Sequence, residues 1–334
     1  MNIVEKAEAS SASLREKRVV ITGSGGLLGR AVARRLFEQG YRQIDVPRGS
    51  AANLKHEEEL ARVFNQGQPQ ILVHFAGDDG WGRCNVAEEL YKRALENTHL
   101  IETACRRGVE KMVCVGSGAA YPANAPAPLR ERDLFNGLPD PAAAIGGAVE
   151  RLAFVQVQAC REQYGFQCIF LIPANCYGPR DNFDPETRAL VPQLIRKFVE
   201  AAETGAREVT LAGTGSATRE FLHVEDCAEG IRLALERYSG AEAVNIGSGS
   251  EVGIHELARR IARLAGYSGQ ILWDATQPDG PARRVLDPSR AAREFGFRAR
   301  KTLQDGLYET VEWYRSMHAR SEPELRKKAF ATRA

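Results

Sequence analysis

Short apolar runs alternate with amphipathic stretches through the first half of the chain. Four runs have the length and composition of buried strands: RVVIT (18–22), ILVHFAG (71–77), KMVCVGS (111–117) and CIFLIP (168–173). Between them, apolar residues recur with helical spacing over residues 27–39, 57–65, 86–107 and 144–164. This alternation predicts an α/β fold of the Rossmann type, with a doubly wound parallel sheet.

The second half mixes helical patterns, near residues 190–202, 254–265 and 303–315, with short strands such as EVTLAG and AVNIG. We therefore predict a smaller C-terminal domain beside the Rossmann domain. The Rossmann domain is assigned residues 15–175 and about 220–250, and the smaller domain about 176–219 and 251–317. The polar segments 1–14 and 318–334 are predicted to be solvated tails.

The charges nearly balance, with 45 basic and 43 acidic residues in 334, so electrostatics gives no reason to expect a nucleic acid or an anionic membrane as partner. The N-terminal segment is polar, unlike a secretory signal, and no apolar run reaches membrane-spanning length. The seven cysteines form no C-x-x-C pair, and the six histidines show no metal-ligand spacing. These features predict a soluble cytoplasmic protein with free thiols and no metal site.

A glycine-rich turn follows the first predicted strand. In VVITGSGGLLGRAVARRL, Gly23, Gly26 and Gly29 span the end of a strand and the start of a helix. Glycines there let the backbone approach a pyrophosphate, which the helix N-terminus attracts. The alternative is a merely tight strand–helix turn, but the surrounding βαβ pattern favours dinucleotide binding.

The residues after the second predicted strand bear on the choice of dinucleotide. An acidic residue about 20 positions after the glycines favours NAD, whereas an arginine favours NADP. The segment RQIDVPRGS contains both Asp45 and Arg48. Arg48 follows the strand end, where a side chain can reach the ribose, so we favour NADP, with NAD as the alternative. Both residues can also be solvated surface charges.

The spacing G-x-x-G-x-x-G resembles that of extended short-chain dehydrogenases/reductases, the NAD-dependent epimerase/dehydratase family. In the second half, the blocks PANCYGPRDNFDPETRALVPQLIRKF, GTGSATREFLHVEDCAEGI, NIGSG and DATQPDGPARRVLD are similar to those of the GDP-L-fucose synthase family. Enzymes of that family use NADPH to reduce the C4 ketone of a GDP-sugar after epimerising C3 and C5. The resemblance implies NADP, a nucleotide-sugar ligand and a homodimer formed through two long helices, here 86–107 and 144–164.

The resemblance also implies which residues contact the two ligands. It puts the cofactor on Gly23, Gly26, Leu28, Gly29, Arg48, Ala76, Gly77 and Pro173. It puts the sugar nucleotide near Asn175, Lys197 and Arg219. A diphosphate favours basic partners, and an arginine can grip it with a bidentate fork. The alternative for Arg219 is a structural ion pair with Glu220 or Glu225.

The proton-transfer groups of that family are replaced in this chain. The family uses a tyrosine as proton donor, a lysine four residues later, and a serine at the end of the fourth strand. The serine is present as Ser117, but an ungapped count puts the tyrosine and the lysine at Gly146 and Glu150. Alanine occupies the positions of the epimerisation cysteine and histidine and of a tryptophan near the guanine: Ala119, Ala189 and Ala212.

Glu150 leaves two interpretations open. A carboxylate cannot imitate the lysine, because it raises the pKa of a nearby phenol, but beside a cofactor it can serve as a general acid or base. The alternative is a solvated helix residue paired with Arg151 or another nearby basic group. Tyr121 is a further catalytic candidate, although a tyrosine at such a turn is more often structural. The chain is then either an enzyme that oxidises, epimerises or eliminates at a nucleotide sugar, or a catalytically silent relative with a regulatory or scaffold role.

Overall fold

The computed structural model describes residues 13–23, 26–47, 54, 57–76, 86–187 and 189–331. Its strands are β1 (Val19–Thr22), β2 (Ile44–Asp45), β3 (Ile71–Phe75), β4 (Lys111–Val115), β5 (Cys168–Pro173), β6 (Asn175–Tyr177), β7 (Glu208–Ala212), β8 (Thr218–His223), β9 (Val244–Ile246), β10 (Glu251–Gly253), β11 (Gln270–Asp274) and β12 (Arg283–Arg284). Its helices are α1 (Leu27–Glu38), α2 (Glu57–Gly67), α3 (Val86–Arg106), α4 (Ala144–Tyr164), α5 (Leu190–Thr204), α6 (Val224–Arg237), α7 (Ile254–Leu264), α8 (Ser289–Phe295) and α9 (Leu303–Ala331).

A parallel sheet has the strand order β2-β1-β3-β4-β5-β9. Val19 lies opposite Ile71 in the β1–β3 pair, and Leu171 lies opposite Val244 in the β5–β9 pair. The chain moves outward from β1 to β2 and then returns to the other side of β1 with β3. That reversal opens a crevice at the carboxyl ends of β1 and β3, where dinucleotides bind in this architecture. The Rossmann-type fold predicted from the hydrophobic pattern is confirmed.

The strands are apolar along their whole length because helices cover both faces of the sheet. Val19 and Ile21 pack into one core together with Leu36 of α1, and α6 contributes to the same core. Val20 points the other way, into a second core that contains Leu100 of α3 and residues of α2 and α4. This alternation explains why RVVIT reads as a continuous apolar run rather than an alternating one.

The chain divides into two compact units. The first comprises the described residues up to Cys176, together with Glu220–Glu251 and Arg283–Arg300. The second comprises Tyr177–Arg219, Val252–Ala282 and the described residues from Lys301. The sequence pattern puts residues 283–300 in the smaller domain, whereas in the structure they belong to the first unit. The reason is that Phe295 and Phe297 pack into the core that lines α6.

The second unit contains a two-stranded parallel sheet, β11-β7, with α5, α7 and α9. Phe183 stacks on Tyr314 of α9, with ring centroids 4.6 Å apart. Helix α9 continues to Ala331, so the segment predicted to be a solvated C-terminal tail is helical over most of its length.

Strands β10, β8 and β12 are hydrogen-bonded in that order, with β6 beside β8. Among the described helices, none is both long and apolar enough to cross a membrane.

Candidate functional site

The glycine-rich turn begins where β1 ends. Gly23 has φ +71°, and a Cβ there would lie 2.7 Å from Phe75 O, so only glycine fits. Gly26 is the N-cap of α1 and caps it with no side chain, which leaves backbone N–H groups of the first helical turn available to an anion. Gly29 is buried in the first turn, and Leu28 packs against the core. These are features of a phosphate-binding turn.

A buried polar network lies beneath this turn. The Thr22 hydroxyl is 2.9 Å from His74 Nδ1, and His74 Nε2 is 2.9 Å from Asn97 Oδ1. Asn97 Nδ2 donates to Ala76 O, so its Oδ1 must accept from His74 Nε2–H, and Thr22 donates to Nδ1. Burial lowers the pKa of His74 to about 4, with Arg93 adding to the effect and the Asn97 hydrogen bond opposing it. The neutral ring therefore ties together the strand ends that carry Gly23 and Ala76.

Of the two charged candidates for the ribose, the structure describes Asp45, at the end of β2. A Cβ on Gly67 would lie 3.4 Å from Asp45 Oδ2, so the Asp45 carboxylate lies against the C-terminal end of α2. Arg48 lies outside the described residues, as does Gly77 at the end of the β3 segment. Pro173, the last of the predicted cofactor residues, ends β5 and is buried.

Glu150 and Ser117 form the centre of the candidate catalytic site. Ser117 N–H donates to Glu150 Oε2 at 2.7 Å, and Ser117 Oγ donates to Glu150 Oε1 at 2.8 Å. The Ser117 hydroxyl also accepts from Ala119 N at 3.1 Å and so caps the short 3₁₀ turn 118–120. Glu150 is 1% exposed. The structure therefore contradicts the view of Glu150 as a solvated helix residue and brings together two of the three catalytic candidates.

Close backbone packing makes this contact possible. A Cβ on Gly147 would overlap Ala119 O, so α4 approaches the 3₁₀ turn as closely as glycine permits. A Cβ on Gly116 would lie 2.9 Å from the Phe170 ring and 3.2 Å from Glu150 Oε2. Gly147 is not among the predicted site residues, although a Gly-Gly pair inside a helical pattern indicates close approach of another backbone.

Two arginines hold the loop that follows Ser117. Arg284 Nη1 donates to Gly118 O at 2.8 Å, and burial lowers the pKa of Arg284. Arg151 Nε donates to Ala120 O at 2.7 Å, and its Nη1 donates to Gly137 O. Arg151 is therefore not the partner of Glu150 that the sequence allowed. Arg284 had no sequence signal, because its contact joins residues far apart in the chain.

The other catalytic positions carry little proton-transfer chemistry. Tyr121 is fully buried, and its hydroxyl donates to Asn245 Oδ1 at 2.8 Å. Burial raises the pKa of this phenol. The buried hydrogen bond and the raised pKa both favour a structural role for Tyr121. The remaining positions have no ionisable side chain and lie in the 3₁₀ turn, in α4, at the N-cap of α5 and at the end of β7: Ala119, Gly146, Ala189 and Ala212.

The aromatic ring beside the GTGS turn does not occupy the place of Ala212. In the parallel register, Asp274 lies opposite Ala212, and Trp273 lies opposite Leu211, which is buried. Paired residues of parallel strands share a face, so Trp273 points to the face opposite Ala212. Its ring packs against the backbone of Gly215, which supports the turn.

The predicted sugar-nucleotide residues are divided between the units. In the first unit, Asn175 Nδ2 donates to Glu220 O at 3.1 Å. In the second unit, Lys197 Nζ is 3.4 Å from Thr210 O. Arg219, also in the second unit, donates to Pro281 O at 2.6 Å and to Asp279 O at 3.2 Å.

The acidic partners that the sequence allowed for Arg219 are engaged elsewhere. Glu220 is buried, and its carboxylate accepts from the backbone N–H groups of Gly249 and Leu286, each at 2.7 Å. Glu225 pairs with Arg34. Within the described part of the chain, no group of three or more His, Cys, Asp or Glu residues could hold a metal ion.

Comparison with known proteins extends these observations. The model of the NAD-dependent epimerase/dehydratase family matches residues 19–247. GDP-L-fucose synthase 1 from Arabidopsis thaliana is 37% identical over 312 residues, which cover 92% of this chain and 96% of that protein. A GDP-6-OMe-4-keto-L-xylo-heptose reductase from C. jejuni superposes with a TM-score of 0.82 at 26% identity, covering 91% of this chain and 99% of the other. The NADP-bound GDP-mannoheptose C4 reductase from Campylobacter jejuni superposes with a TM-score of 0.80 at 26% identity, covering 90% and 99%.

Proposed function

The chain belongs to the NAD-dependent epimerase/dehydratase family, and from this membership we propose that it binds NADP(H) and acts on a GDP-linked sugar, as an oxidoreductase or epimerase, through a rearranged catalytic site. The observation that carries the proposal is the double hydrogen bond between Ser117 and the buried Glu150 carboxylate. An ionisable group in this position gives the site a means of moving a proton without the family's tyrosine and lysine.

The residues present fit a dinucleotide. The Gly23 cradle, which any Cβ would fill, and the N-terminus of α1 suit a pyrophosphate. Asp45 is turned toward α2, which favours Arg48 as the ribose contact and hence the 2′-phosphate of NADP. When bound, the cofactor gives or takes a hydride at a sugar carbon. The residues that would hold it are Gly23, Gly26, Leu28, Gly29, Arg48, Ala76, Gly77 and Pro173.

Ser117 and Glu150 can together move the proton that accompanies the hydride. When a sugar hydroxyl is oxidised, its proton passes to Ser117 Oγ as the Ser117 proton passes to Glu150 Oε1. When a ketone is reduced, the same transfers run in the opposite direction, from a protonated Glu150. Only the serine needs to reach the substrate, since the carboxylate is 1% exposed.

The second candidate function is a catalytically silent relative that binds cofactor or sugar nucleotide. The hydrogen bonds between Ser117 and Glu150 also support this function, because they can be purely structural. Both oxygens of Glu150 accept from Ser117. In a silent relative, the pair would hold the loop onto α4 and do nothing else. Tyr121, the third catalytic candidate, is then also a structural residue through its bond to Asn245.

The sugar nucleotide is proposed to contact Asn175, Lys197 and Arg219. The names of the relatives support a GDP-sugar ligand, and a guanidinium suits its diphosphate. The Arg219 fork already donates to backbone carbonyls, so in this proposal it holds the 279–281 segment and presents its remaining N–H groups to the phosphates. We also propose a cytoplasmic location, because the described cysteines are free thiols.

A homodimer built on α3 and α4 is part of the proposal. These helices pack together and leave apolar side chains exposed, among them Tyr91 at 67% and Val155 at 50%. Two such helices per subunit give an interface on the order of 1,600 Å² in total. Sedimentation at micromolar concentration should give the mass of two chains, and a monomer would remove this part of the proposal.

Mass spectrometry of the purified protein tests the proposed ligands directly. Native spectra should retain the mass of NADP(H), and incubation with a panel of GDP-sugars should give one mass shift for a bound nucleotide sugar. If one sugar is also converted, the enzyme hypothesis holds, and if ligands bind unchanged, the silent relative is the better description. Failure to bind either ligand class would overturn both.

A further inference from the structure

An arginine-lined cavity lies in the first unit, among residues that the proposed function does not use. Its volume is about 230 Å³. Four arginines line it, two near the short turn 131–133 and two on the first turns of α8: Arg130, Arg132, Arg290 and Arg293. Two acidic side chains, Glu131 and Asp287, complete the charged lining, so arginines outnumber acids there. From outside the lining, Glu242 pairs with Arg290.

Backbone hydrogen bonds fix the two walls of this cavity side by side. Leu129 N–H donates to Val285 O at 2.8 Å, and Asp287 N–H donates to Leu129 O at 2.9 Å. The buried Asn245 side chain joins the same walls, since its Nδ2 donates to Leu129 O at 2.9 Å and to Asp287 O at 3.2 Å. The arginines therefore project from a rigid frame.

Two of the arginines have acidic partners inside the lining. Arg130 Nε is 3.4 Å from Asp287 Oδ2, and Arg290 Nε is 3.8 Å from Glu131 Oε2. Both distances are longer than the 2.7–2.9 Å of a charge-assisted hydrogen bond. Arg290 Nη1 is nevertheless engaged, since it pairs with Glu242 and donates to Ala243 O at 3.2 Å, so the donors left to the cavity are those of Arg130 and the second amino group of Arg290.

The other two arginines contribute little to holding the fold. The guanidinium of Arg132 makes no hydrogen bond or close ion pair with any residue that the structure describes, although its charge adds to the fall that the Ser289 hydrogen bond causes in the pKa of Asp287. The Arg293 side chain is 63% exposed and pairs only with its exposed neighbour, Glu294. Exposed pairs of this kind add little to stability. Arg132 is therefore the guanidinium of the lining that the described residues leave without an ion pair, and Arg293 is held only by an exposed one.

We propose that this cavity binds a small multivalent phosphate anion, of the pyrophosphate or phosphomonoester class. The planar guanidinium fork matches phosphate oxygens in pairs, and several forks around one space favour an anion with more than one negative charge. The volume lies below the range of about 300–1,000 Å³ that holds drug-sized ligands, which favours an ion or a small phosphate group over a whole nucleotide sugar.

Isothermal titration of the full chain with inorganic pyrophosphate, at ionic strength matched with sodium chloride, tests the proposal. The wild type should bind at this cavity with saturation, and the double variant R132E/R293E should bind at least about 10-fold more weakly, because two forks become repulsive charges. R259E carries the same type of charge reversal on an exposed position of α7 and should bind as the wild type does. An unchanged unfolding midpoint without anion shows that the double variant is folded.

Two results would overturn the proposal. One is the absence of saturable binding by the wild type. The other is equal binding by the wild type and R132E/R293E, which would assign the pyrophosphate to the glycine-rich turn instead. The milder R132A/R293A should fall between the two, since it removes the forks without adding repulsion. Inorganic phosphate, titrated in parallel, should bind more weakly than pyrophosphate because it carries less charge.

Discussion

The crevice after β1 and β3 and the site after β4 are built on one sheet, but they follow the family pattern to different degrees. At the crevice, Gly23 is required by the backbone itself, because a Cβ would lie 2.7 Å from Phe75 O. After β4, the requirement falls on side chains, and Glu150 fits there because Ser117 offers it two donors. Binding geometry fixed by the backbone can thus persist while the chemistry beside it changes.

The buried polar groups of the two regions differ in the same way. Beneath the crevice, His74 is neutral, and both of its ring nitrogens have matched partners, Thr22 as donor and Asn97 as acceptor. After β4, a carboxylate is buried, and it adds to the rise that burial causes in the pKa of Cys114. The first arrangement is a support, whereas the second holds the ionisable group for which we propose proton exchange.

The largest expected effect concerns the chemistry after β4. With glycine at 146 and glutamate at 150, the wild type should consume NADPH with GDP-4-keto-6-deoxymannose about 10²–10⁴-fold more slowly than the Arabidopsis synthase. A positioned general acid contributes that much, and neither Ser117 nor Glu150 stands at the position of the family's tyrosine. The double variant Gly146→Tyr, Glu150→Lys restores the acid and its cation and should gain activity. Absorbance at 340 nm gives both rates.

Single variants complete this test. Gly146→Tyr alone should gain less, because the phenol then lies beside a carboxylate that raises its pKa. Brisk turnover by the wild type would contradict the hypothesis. If neither wild type nor double variant is active, then the alanines at 119, 189 and 212 matter as well, and another sugar nucleotide becomes the better substrate.

The sequence predicted the sheet but not the contacts at its edge. The strands were recognisable because both faces are covered, which makes RVVIT and CIFLIP continuously apolar. The replacement at 150 could be found by counting from Ser117. The contact between Glu150 and Ser117 could not be predicted, since it depends on how closely Gly147 lets α4 approach the 3₁₀ turn. The contact of Arg284 with Gly118 O joins residues 166 positions apart, which no local pattern encodes.

The next effect tests the support beneath the crevice. His74 has a folded pKa of about 4, below its unfolded value of about 6.5, so the unfolded state binds the proton first as pH falls. The stabilisation is complete above pH 6.5 and is lost toward pH 4, by up to roughly 3 kcal/mol. Urea unfolding at pH 7.5, 6 and 5 should show this loss in the wild type and much less of it in His74→Gln.

A matched variant separates this effect from general acid destabilisation. His318 is partly exposed, lies 3.3 Å from Glu203 and is not part of the buried network, so His318→Gln is the control for removing a histidine elsewhere in the chain. If His74→Gln and His318→Gln follow the same pH curve, the buried network does not control stability in this range.

The cofactor preference should produce a smaller effect. Arg48→Ala removes a charge-assisted hydrogen bond of about 1.5–3 kcal/mol from the 2′-phosphate, so the Kd for NADPH should rise roughly 10- to 100-fold. NADH, which has no such phosphate, should bind nearly as before. Titration calorimetry with both cofactors gives the comparison, and Arg42→Ala, just before β2, serves as the control. Equal loss for NADPH and NADH would remove Arg48 from this role.

The smallest expected effect separates support from chemistry at Glu150. Glu150→Gln keeps one acceptor for Ser117 but turns an amide N–H₂ toward the other donor, so it should cost about 1 kcal/mol of unfolding free energy. Glu162→Gln, on an exposed position of the same helix, should cost almost nothing. If the two variants are equally stable, the carboxylate does not hold the loop onto α4. If Glu150→Gln is stable to within this cost and yet loses the turnover found with a GDP-sugar, the carboxylate acts on protons and the site after β4 is catalytic. If turnover survives unchanged, the pair is a support like the network beneath the crevice, and the difference between the two regions disappears.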